Sequence, residues 1–355
     1  MYDILIVGAG AMGTAFCFPL ADAGNRVTLV GTHLDGEWVK HIQEKDVHPK
    51  LKTPIPETVT ALFYEDLEAA LTPDIGLIVL GVSSAGVNWA LDQLGPLLKR
   101  PISILMLTKG LTVEDGGLRI LPEKVRRELS RYGFEQTPVG AVAGPCIAAE
   151  LAARRDSSVV FACDDGEINR QWIQMASTPY YHIRASMDVI GIEFCAALKN
   201  FYTLAIGAPP GQLEKRERIQ TIPQVHNMAA ALFTQALEEM TYIVTHMGGD
   251  VASVYGLAGS GDLYVTCQAG RNSRMGRLLG TGLTYTEAKS QHMAQDTVEG
   301  AELAIAIGPA LERLMSQGRL GHHSLPLAQA IIDAICRDAP LRLIWKDFFL
   351  VQNKY

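Results

Sequence analysis

The sequence predicts an α/β fold, in which a doubly wound and mostly parallel sheet is followed by an all-helical C-terminal domain. Three observations support this prediction. Short apolar runs alternate with helical stretches in the first half of the chain, this alternation stops near residue 187, and the remaining residues have the spacing of helices. Strands that alternate with helices typically form a parallel sheet with helices on both faces.

The predicted strands are short apolar runs bounded by turn residues. Because a parallel sheet is buried on both faces, its strands need no alternation of polar and apolar residues. We expect strands at 3–7, 26–30, 75–82, 102–108, 138–143 and 158–163. Helices are expected between them, at 11–23, 85–98 and 146–154.

The second half of the chain is predicted to be helical throughout. Its helices are expected at 188–206, 225–247, 262–268, 273–280, 284–294, 298–307 and 324–336. A chain of 355 residues is longer than one core usually holds. We therefore expect two domains, 1–187 and 188–355, which meet where the first long helix begins.

The composition is that of a globular protein, with 48% hydrophobic and 19% charged residues. A net charge of -7 argues against a general nucleic-acid binder. The strand-like run from Tyr2 leaves no room for a signal peptide, and no apolar run approaches the ~18–20 residues that span a bilayer. Six cysteines without a CxxC pair predict reduced thiols in the cytoplasm, at positions 17, 146, 163, 195, 267 and 336.

A glycine-rich loop carries the first functional signal. Gly8-Ala9-Gly10-Ala11-Met12-Gly13 directly follows the first strand and opens a helix, which is the G-x-G-x-x-G pattern in its proper context. Its glycines permit a tight turn and let the backbone approach a pyrophosphate at the helix N-terminus. A purely structural turn is the alternative. The loop predicts that 1–187 is a dinucleotide-binding domain of Rossmann type.

The end of the second strand bears on the choice of cofactor. NAD-selective sites usually carry an acid there, which holds the adenosine ribose. This chain reads Val30-Gly31-Thr32-His33 and has no acid before Asp35. Thr32 and His33 could therefore meet a 2'-phosphate, although an ordinary loop is an equal alternative.

Two further candidates follow later strands. Ligands of open α/β sheets bind beyond the carboxyl ends of the strands. Lys109 ends the strand at 102–108, and Gly144-Pro145-Cys146 ends the strand at 138–143 and starts a helix with free backbone N–H groups. Taken singly, these are also consistent with a surface lysine and a helix-starting proline.

The stretch CAALKNFYTLAIG, residues 195–207, places a lysine and an asparagine within an apolar helix. At 100° per residue, Lys199 and Asn200 share a face with small residues such as Ala196 and Thr203. Glu193 falls on the same face. A solvated face is the usual explanation for one helical lysine, but the small uncharged neighbours favour a lined cavity.

A last cluster lies at 256–272. Its glycine-rich loop leads to Asp262, which is predicted to cap a helix, and Thr266 follows one turn later. Arg271 offers a forked set of donors suited to phosphate, and Asn272 adjoins it. No metal signature is present, and His322-His323 is expected in a solvated loop.

Together these motifs resemble the NAD(P)-dependent glycerol-3-phosphate dehydrogenases, over nearly the whole chain. They are GAGAMGTA, TKG at 108–110, AGPCIAAEL at 143–151, ALKN at 197–200, GLAGSGDLYVTC at 256–267, RN at 271–272 and VEG at 298–300. The resemblance implies reversible reduction of dihydroxyacetone phosphate to glycerol 3-phosphate, for phospholipid synthesis. It also implies a Rossmann domain, a helical substrate domain, a cytoplasmic location and a homodimer.

The resemblance assigns roles by motif. It implies a catalytic Lys199 with active-site neighbours Lys109, Asn200, Asp262 and Thr266. The implied substrate contacts are Lys109, Gly144, Cys146, Lys199, Asp262, Arg271 and Asn272. The implied cofactor contacts are Gly8, Gly10, Ala11, Met12, Gly13, Thr32, His33, Lys109, Ala148, Arg271 and Glu299.

The chain departs from the family pattern at several places. Met12 stands where an aromatic residue is common, and Cys146 replaces a serine or threonine. Gly31-Thr32-His33 replaces a run that ends in arginine, and the charged stretch 208–224 has no functional interpretation. From the missing acid we expect NADP(H) to be preferred and NAD(H) to be possible.

Two other functions are compatible with parts of the pattern. A ketopantoate or β-hydroxyacid reductase shares the two-domain plan, but TKG, ALKN and RN argue against it. A nucleotide-sensing interaction protein would keep the glycine loop and would need neither Lys199 nor Arg271. The predicted partner is therefore a small-molecule substrate, without nucleic acid, metal or an integral membrane segment.

Overall fold

The computed structural model describes residues 1–217, 224–320 and 325–348. Its contacts divide the chain into two compact units. Unit 1 comprises Met1–Gly110 and Ile120–Glu193, and unit 2 comprises Leu111–Arg119 and Phe194–Tyr355. The division falls within one long helix and assigns a short hairpin at 111–119 to unit 2, which the sequence patterns do not indicate.

Unit 1 contains an eight-stranded sheet, whereas strands β6 (Leu111–Glu114) and β7 (Gly117–Ile120) form the separate hairpin. The strands of the large sheet are β1 (Asp3–Val7), β2 (Arg26–Val30), β3 (Val59–Leu62), β4 (Ile75–Leu80), β5 (Ser103–Met106), β8 (Val139–Ala143), β9 (Ser157–Ala162) and β10 (Tyr181–Ser186). They run in the order β10-β9-β8-β5-β4-β1-β2-β3, and the neighbouring pairs are parallel except for β8 with β9. From β3 to β8 this is the Rossmann order, so the predicted fold class is confirmed.

The core of unit 1 lies on both faces of the sheet. Along β1, Ile4 and Ile6 pack into one apolar cluster while Leu5 and Val7 pack into another. A strand buried on both faces reads as a continuous apolar run, which is why the sequence revealed it. Strands β3 and β10 were not predicted, because they lie at the two edges of the sheet and carry exposed or polar residues.

Helices cover the two faces of this sheet. They are α1 (Ala11–Asp22), α2 (Gly36–Lys45), α3 (Leu67–Ala70), α4 (Val87–Leu94), α5 (Leu121–Ser130), α6 (Ala148–Ala152) and α7 (Gly166–Ala176). The predicted helix at 85–98 is α4 with a short 3₁₀ turn at each end. The predicted helix at 146–154 is shorter than expected, because α6 begins only at Ala148.

Unit 2 is helical apart from the hairpin. Its helices are α8 (Val189–Ile206), α9 (Pro209–Glu217), α10 (His226–His246), α11 (Val251–Tyr255), α12 (Asp262–Gln268), α13 (Arg271–Gly280), α14 (Tyr285–His292), α15 (Glu299–Ser316) and α16 (Pro326–Cys336). Helix α8 begins at the end of unit 1 and continues into unit 2. The predicted loop at His322-His323 and residues 218–223 of the charged stretch lie outside the described residues.

A buried carboxylate ties three helices of unit 2 together. Glu239 of α10 accepts hydrogen bonds from the backbone N–H groups of Leu327 and Ala328, at 2.7 and 2.8 Å, where α16 begins. It also accepts from Gln235 and from the hydroxyl of Tyr202 on α8, at 2.9 and 3.2 Å. Four donors therefore satisfy a side chain that is 0% exposed.

Helix α8 explains the one apolar segment of membrane-spanning length among the described residues. The stretch Val189–Glu217 meets the length and hydropathy of a span, but 94% of its most apolar window is buried inside the protein. Burial of this kind is typical of a core helix.

Candidate active site

The glycine loop lies where β1 and β4 end side by side. Val7 pairs with both Val30 and Leu80, so the residues after β1, β2 and β4 share one edge of the sheet. Gly8 has φ +114°, and a Cβ there would lie 2.7 Å from the carbonyl carbon of Gly81. A Cβ on Gly13 would lie 2.1 Å from the Gly8 oxygen. Only glycine fits either position.

Helix α1 begins at Ala11, directly after this turn. Gly10 is its N-cap, and no side chain caps the helix. The first N–H groups of a helix need a partner, and they suit an anion. The predicted loop residues therefore form a backbone cradle that fits the pyrophosphate of a dinucleotide.

Asp35, which the sequence patterns left without a role, braces this loop. Its Oδ2 accepts hydrogen bonds from the backbone N–H groups of Ala9 at 3.1 Å and Thr32 at 2.8 Å. The carboxylate is buried and points at backbone donors on both sides. The Thr32 hydroxyl accepts from Leu34 N–H at 3.2 Å, and His33 lies 4.8 Å from the ring of Trp89. The role of Asp35 could not be predicted from the local sequence, because its carboxylate contacts the backbone of Ala9, which lies 26 positions away in the chain.

An aromatic and basic cluster lies beside the loop. Trp38 is next to Gly10, where a Cβ would be 3.9 Å from its ring. Lys50 Nζ lies 4.7 Å from the centre of the Trp38 ring, and the His48 ring is 5.3 Å from the Trp38 ring, centre to centre, in an edge-on arrangement. Burial lowers the pKa of His48, and the charge of Lys50 lowers it further. Lys50 is thus a cation held near the cofactor loop.

The later strands of unit 1 present the other predicted residues. The Thr108 hydroxyl donates to the Val82 carbonyl at 2.7 Å, which fixes the backbone from which half-buried Lys109 projects after β5. Gly144, with φ +123°, follows the adjacent strand β8. The expectation that a helix starts at Cys146 is wrong, because Ile147 is the N-cap and Ala148 the first helical residue.

Lys199 of α8 forms a buried ion pair with Asp262 in unit 2. The ammonium donates to Asp262 Oδ1, and the two residues are 8% and 2% exposed. A carboxylate partner offsets part of the cost of burying a lysine. This pair is why the apolar stretch 195–207 tolerates a lysine.

The prediction that Asp262 caps helix α12 is wrong. Gly261 occupies the N-cap position, and a π-helical turn at Leu257–Gly261 leads directly into α12. Its carboxylate is therefore directed to Lys199 rather than to the backbone. The Thr266 hydroxyl donates to the Asp262 carbonyl at 2.7 Å, so it lies one turn below the pair.

Asn200 lies at the centre of a second polar cluster in unit 2. Its amide nitrogen donates to Glu299 at 3.0 Å, and its oxygen accepts from Asn272 at 3.0 Å. The Asn272 oxygen accepts from Gly300 N–H at 2.9 Å. A Cβ on Gly300 would lie 2.2 Å from the Asn200 carbonyl oxygen, so glycine is required for this close approach.

Arg271 borders the same cluster at the start of α13. Its guanidinium donates to Glu299 at 3.3 Å, and both side chains are about half exposed, at 50% and 52%. Asn272 uses one N–H for Asn200, which leaves its second N–H for another acceptor. Arg271 and Asn272 therefore place several donors at one helix start.

Comparisons with known proteins agree on one family. The sequence model described as "NAD-dependent glycerol-3-phosphate dehydrogenase N-terminus" matches residues 3–169, and the corresponding "C-terminus" model matches 188–346. The NADP(+)-dependent glycerol-3-phosphate dehydrogenase of Archaeoglobus fulgidus is 35% identical over 288 residues, which cover 81% of this chain and 83% of that protein. The chain belongs to the NAD-dependent glycerol-3-phosphate dehydrogenase family.

Other members resemble the chain over most of its length. The glycerol-3-phosphate dehydrogenase [NAD(P)+] of Coxiella burnetii is 30% identical over 334 residues, which cover 93% of this chain and 89% of that protein. The crystal structure of a glycerol-3-phosphate dehydrogenase from Coxiella burnetii superposes with a TM-score of 0.76 at 28% identity, covering 96% of each chain. The family resemblance predicted from motifs is thus confirmed.

Among the described residues, no group of three or more His, Cys, Asp and Glu side chains could hold a metal ion. The described cysteines, Cys146 among them, form no disulfide bonds.

Proposed function

We propose that this protein reversibly reduces dihydroxyacetone phosphate to glycerol 3-phosphate with NAD(P)H. Family membership supports the reaction, and the buried Lys199–Asp262 ion pair is the observation that carries it. A charged lysine enclosed by its own counter-ion is a group that can hold and release a proton at a defined place.

Lys199 is the proposed proton donor. The loop Gly8–Gly13 would hold NAD(P)H, which would supply a hydride to the substrate carbonyl and leave an alkoxide on its oxygen. The Lys199 ammonium stabilises that oxygen and donates a proton to it, which is worth about 10²–10⁴-fold in rate. Asp262 keeps Lys199 charged, because a neighbouring carboxylate favours the ammonium form. The Thr266 hydroxyl donates to the Asp262 carbonyl, and Asn200, which follows Lys199 on α8, donates to Glu299.

The proposed phosphate site begins at α13. Arg271 and the second N–H of Asn272 provide donors for a phosphate dianion, and charge-assisted bonds of this kind are the strong ones. Lys109, Gly144 and Cys146 are proposed as further substrate contacts, since they follow neighbouring strands β5 and β8.

The proposed cofactor site is the loop Gly8–Gly13, with Lys109, Ala148, Arg271 and Glu299 as further contacts. NADPH is the proposed preferred cofactor and NADH the weaker one. Asp35 does not use Oδ2 to hold the adenosine ribose, because two backbone N–H groups occupy that oxygen. Thr32, His33 and Lys50 supply donors or positive charge nearby, and the Archaeoglobus fulgidus relative is named NADP(+)-dependent.

The remaining proposals concern organisation. We propose a dinucleotide-binding domain at 1–187 and a helical substrate domain at 188–355. A homodimer in the cytoplasm that supplies glycerol phosphate for phospholipid synthesis is the proposed setting, as the family resemblance implies.

One steady-state assay tests the proposed function. NADPH oxidation is followed with dihydroxyacetone phosphate, with unphosphorylated dihydroxyacetone and with ketopantoate, and each is repeated with NADH. We expect turnover of the phosphorylated ketone and a higher kcat/KM with NADPH. Preferential turnover of ketopantoate would replace the proposed substrate, and a clear NADH preference would refute the cofactor assignment.

A further inference from the structure

The charged stretch 208–224 has a structural task in its described part. Residues 209–217 form helix α9, in which the Glu214 side chain is only 14% exposed. Its two carboxyl oxygens accept hydrogen bonds from Nε and Nη2 of Arg277 on α13, at 2.7 and 3.0 Å. A bidentate pair of this kind fixes the orientation of its partners, because both bonds must be aligned at once. Glu214 therefore ties α9 to α13.

The main chains of the same two helices are also in direct contact. A Cβ on Gly211 of α9 would lie 1.9 Å from the Arg277 carbonyl oxygen, so only glycine allows this approach. A Cβ on Gly280 of α13 would lie 2.1 Å from the carbonyl oxygen of Ala208, which directly precedes α9. Arg277 is thus held through both its backbone and its guanidinium group. Close packing of this kind leaves the C-terminal part of α13 little freedom to shift.

The start of α13 is attached to α8. The Asn272 amide donates to the Asn200 side chain at 3.0 Å, and a Cβ on Gly276 would lie 2.2 Å from the Leu204 carbonyl oxygen. Helix α8 also carries Lys199, and it leads into α9 after two residues. Helix α13 is therefore attached along its length to the α8–α9 segment, which contains the proposed proton donor.

The attachment at Glu214 bears on the proposed phosphate site. Arg277 follows Arg271 by six residues, or about 9 Å along the axis of one helix. Contacts at its start alone would let α13 pivot, whereas a second attachment at Arg277 fixes the direction of the helix. A fixed direction also fixes where Arg271 lies relative to Lys199. Because a short carbon chain joins the phosphate and the carbonyl of the substrate, that separation must match the substrate.

We propose that Glu214 is a positioning residue for the reaction, which holds α13 through Arg277 so that Arg271 and Asn272 meet the substrate phosphate at a set distance from Lys199. This inference rests on the proposed function. It predicts that loss of Glu214 weakens recognition of the phosphate, while proton donation by Lys199 and cofactor binding are spared.

The test compares Glu214→Ala with Glu312→Ala, a matched control in unit 2. Glu312 is partly exposed and pairs with Arg337, so each variant removes one ion pair and should lower the melting temperature by a similar amount. Only Glu214→Ala should raise the KM for dihydroxyacetone phosphate, by about fivefold, with kcat changed by less than about twofold, since a displaced contact group weakens binding. Its kcat/KM with unphosphorylated dihydroxyacetone should equal that of the wild type.

Glu214→Gln is a milder variant, because its amide keeps one acceptor oxygen for Arg277. It should raise the same KM by about twofold, in line with a smaller displacement. This variant serves if Glu214→Ala does not fold.

A double-mutant cycle with Arg271→Ala identifies the route. In that background, Glu214→Ala should change KM by less than about twofold, because residues that act on the same contact are not additive. An unchanged KM in Glu214→Ala, equal losses with the two substrates, an equal rise in Glu312→Ala, or an undiminished rise in the Arg271→Ala background would overturn this inference. Each of these results would leave the proposed function intact. A wild-type protein that neither binds nor reduces dihydroxyacetone phosphate would overturn both.

Discussion

The glycine loop of unit 1 and the Lys199 cluster of unit 2 differ in the kind of atoms that form them. The loop is made of backbone, with Gly8 and Gly13 so close to other main-chain atoms that no side chain fits. The cluster is made of side chains, in which Lys199 and Asn200 of α8 contact Asp262 and Glu299 on two other helices. Phosphate recognition by backbone N–H groups needs close approach, whereas proton transfer needs a titratable side chain.

This difference predicts two kinds of sensitivity. Adding atoms should damage the backbone site, because the added carbon must displace main chain. Removing atoms should damage the side-chain site, because the chemistry resides in those atoms while the helices remain.

The largest expected effect is that of Lys199→Ala. We expect kcat to fall by about 10²–10⁴-fold, the contribution of general acid catalysis, with NADPH binding unchanged. The variant removes the ammonium that faces the buried Asp262 carboxylate, so the melting temperature should also fall. Steady-state kinetics on the purified protein, with circular dichroism to confirm folding, provide the measurement. A folded variant with near-normal kcat would remove Lys199 from the reaction.

Gly13→Ala tests the opposite mode of failure. Its Cβ would lie 2.1 Å from the Gly8 oxygen, so the loop must shift. We expect NADPH to bind about 10–10²-fold more weakly, in line with a steric cost of about 1–3 kcal/mol. Titration of cofactor fluorescence gives the Kd.

Gly36→Ala is the control for this variant, because a Cβ on Gly36 meets nothing within 4 Å and the residue begins helix α2. It should leave Kd unchanged. If Gly13→Ala and Gly36→Ala bind NADPH equally well, close backbone approach does not define this site.

The two sites also differ in how far the sequence predicted them. The glycine loop follows from a contiguous pattern between a strand and a helix, and the structure places each of its residues as expected. Lys199 and Asp262 are 63 positions apart, and no local pattern specifies that they pair. Their association came from the family resemblance.

The errors have physical causes. Asp262 was predicted to cap α12 because Asp before an apolar run favours that role, but a π-helical turn continues directly into α12 and puts Gly261 at the N-cap position. Glu193 was placed on the same helix face as Lys199 and was given no role. Its burial depends on what packs against α8, which helical periodicity does not contain.

Arg271→Ala tests whether removing side-chain atoms also damages the proposed phosphate site. Arg271 is half exposed, so we expect a loss of about 2 kcal/mol, the lower end for a charged contact, or about 30-fold in kcat/KM. The loss should affect dihydroxyacetone phosphate and spare dihydroxyacetone.

Arg274→Ala is the matched control, since Arg274 lies on the same helix, is similarly exposed and pairs with Asp296. It should change neither substrate. Equal losses on the two substrates for Arg271→Ala would show that Arg271 does not read the phosphate.

Lys50→Ala carries the smallest expected effect and asks whether a side chain adds specificity to the backbone site. Gly31, at the end of β2, cannot carry a discriminating side chain, because a Cβ there would lie 2.7 Å from Val39. Selectivity must then come from residues that approach the loop from outside, and Lys50 does so over Trp38. An exposed lysine–phosphate contact contributes about 1 kcal/mol or less, so kcat/KM with NADPH should fall about fivefold and that with NADH should not change. Because such a contact is screened, the difference should shrink as the salt concentration rises.

Lys52→Ala, two residues away, serves as the control and should leave kcat/KM with both cofactors unaffected. Equal losses with NADPH and NADH would mean that Lys50 supports the loop through Trp38 and does not recognise the 2'-phosphate.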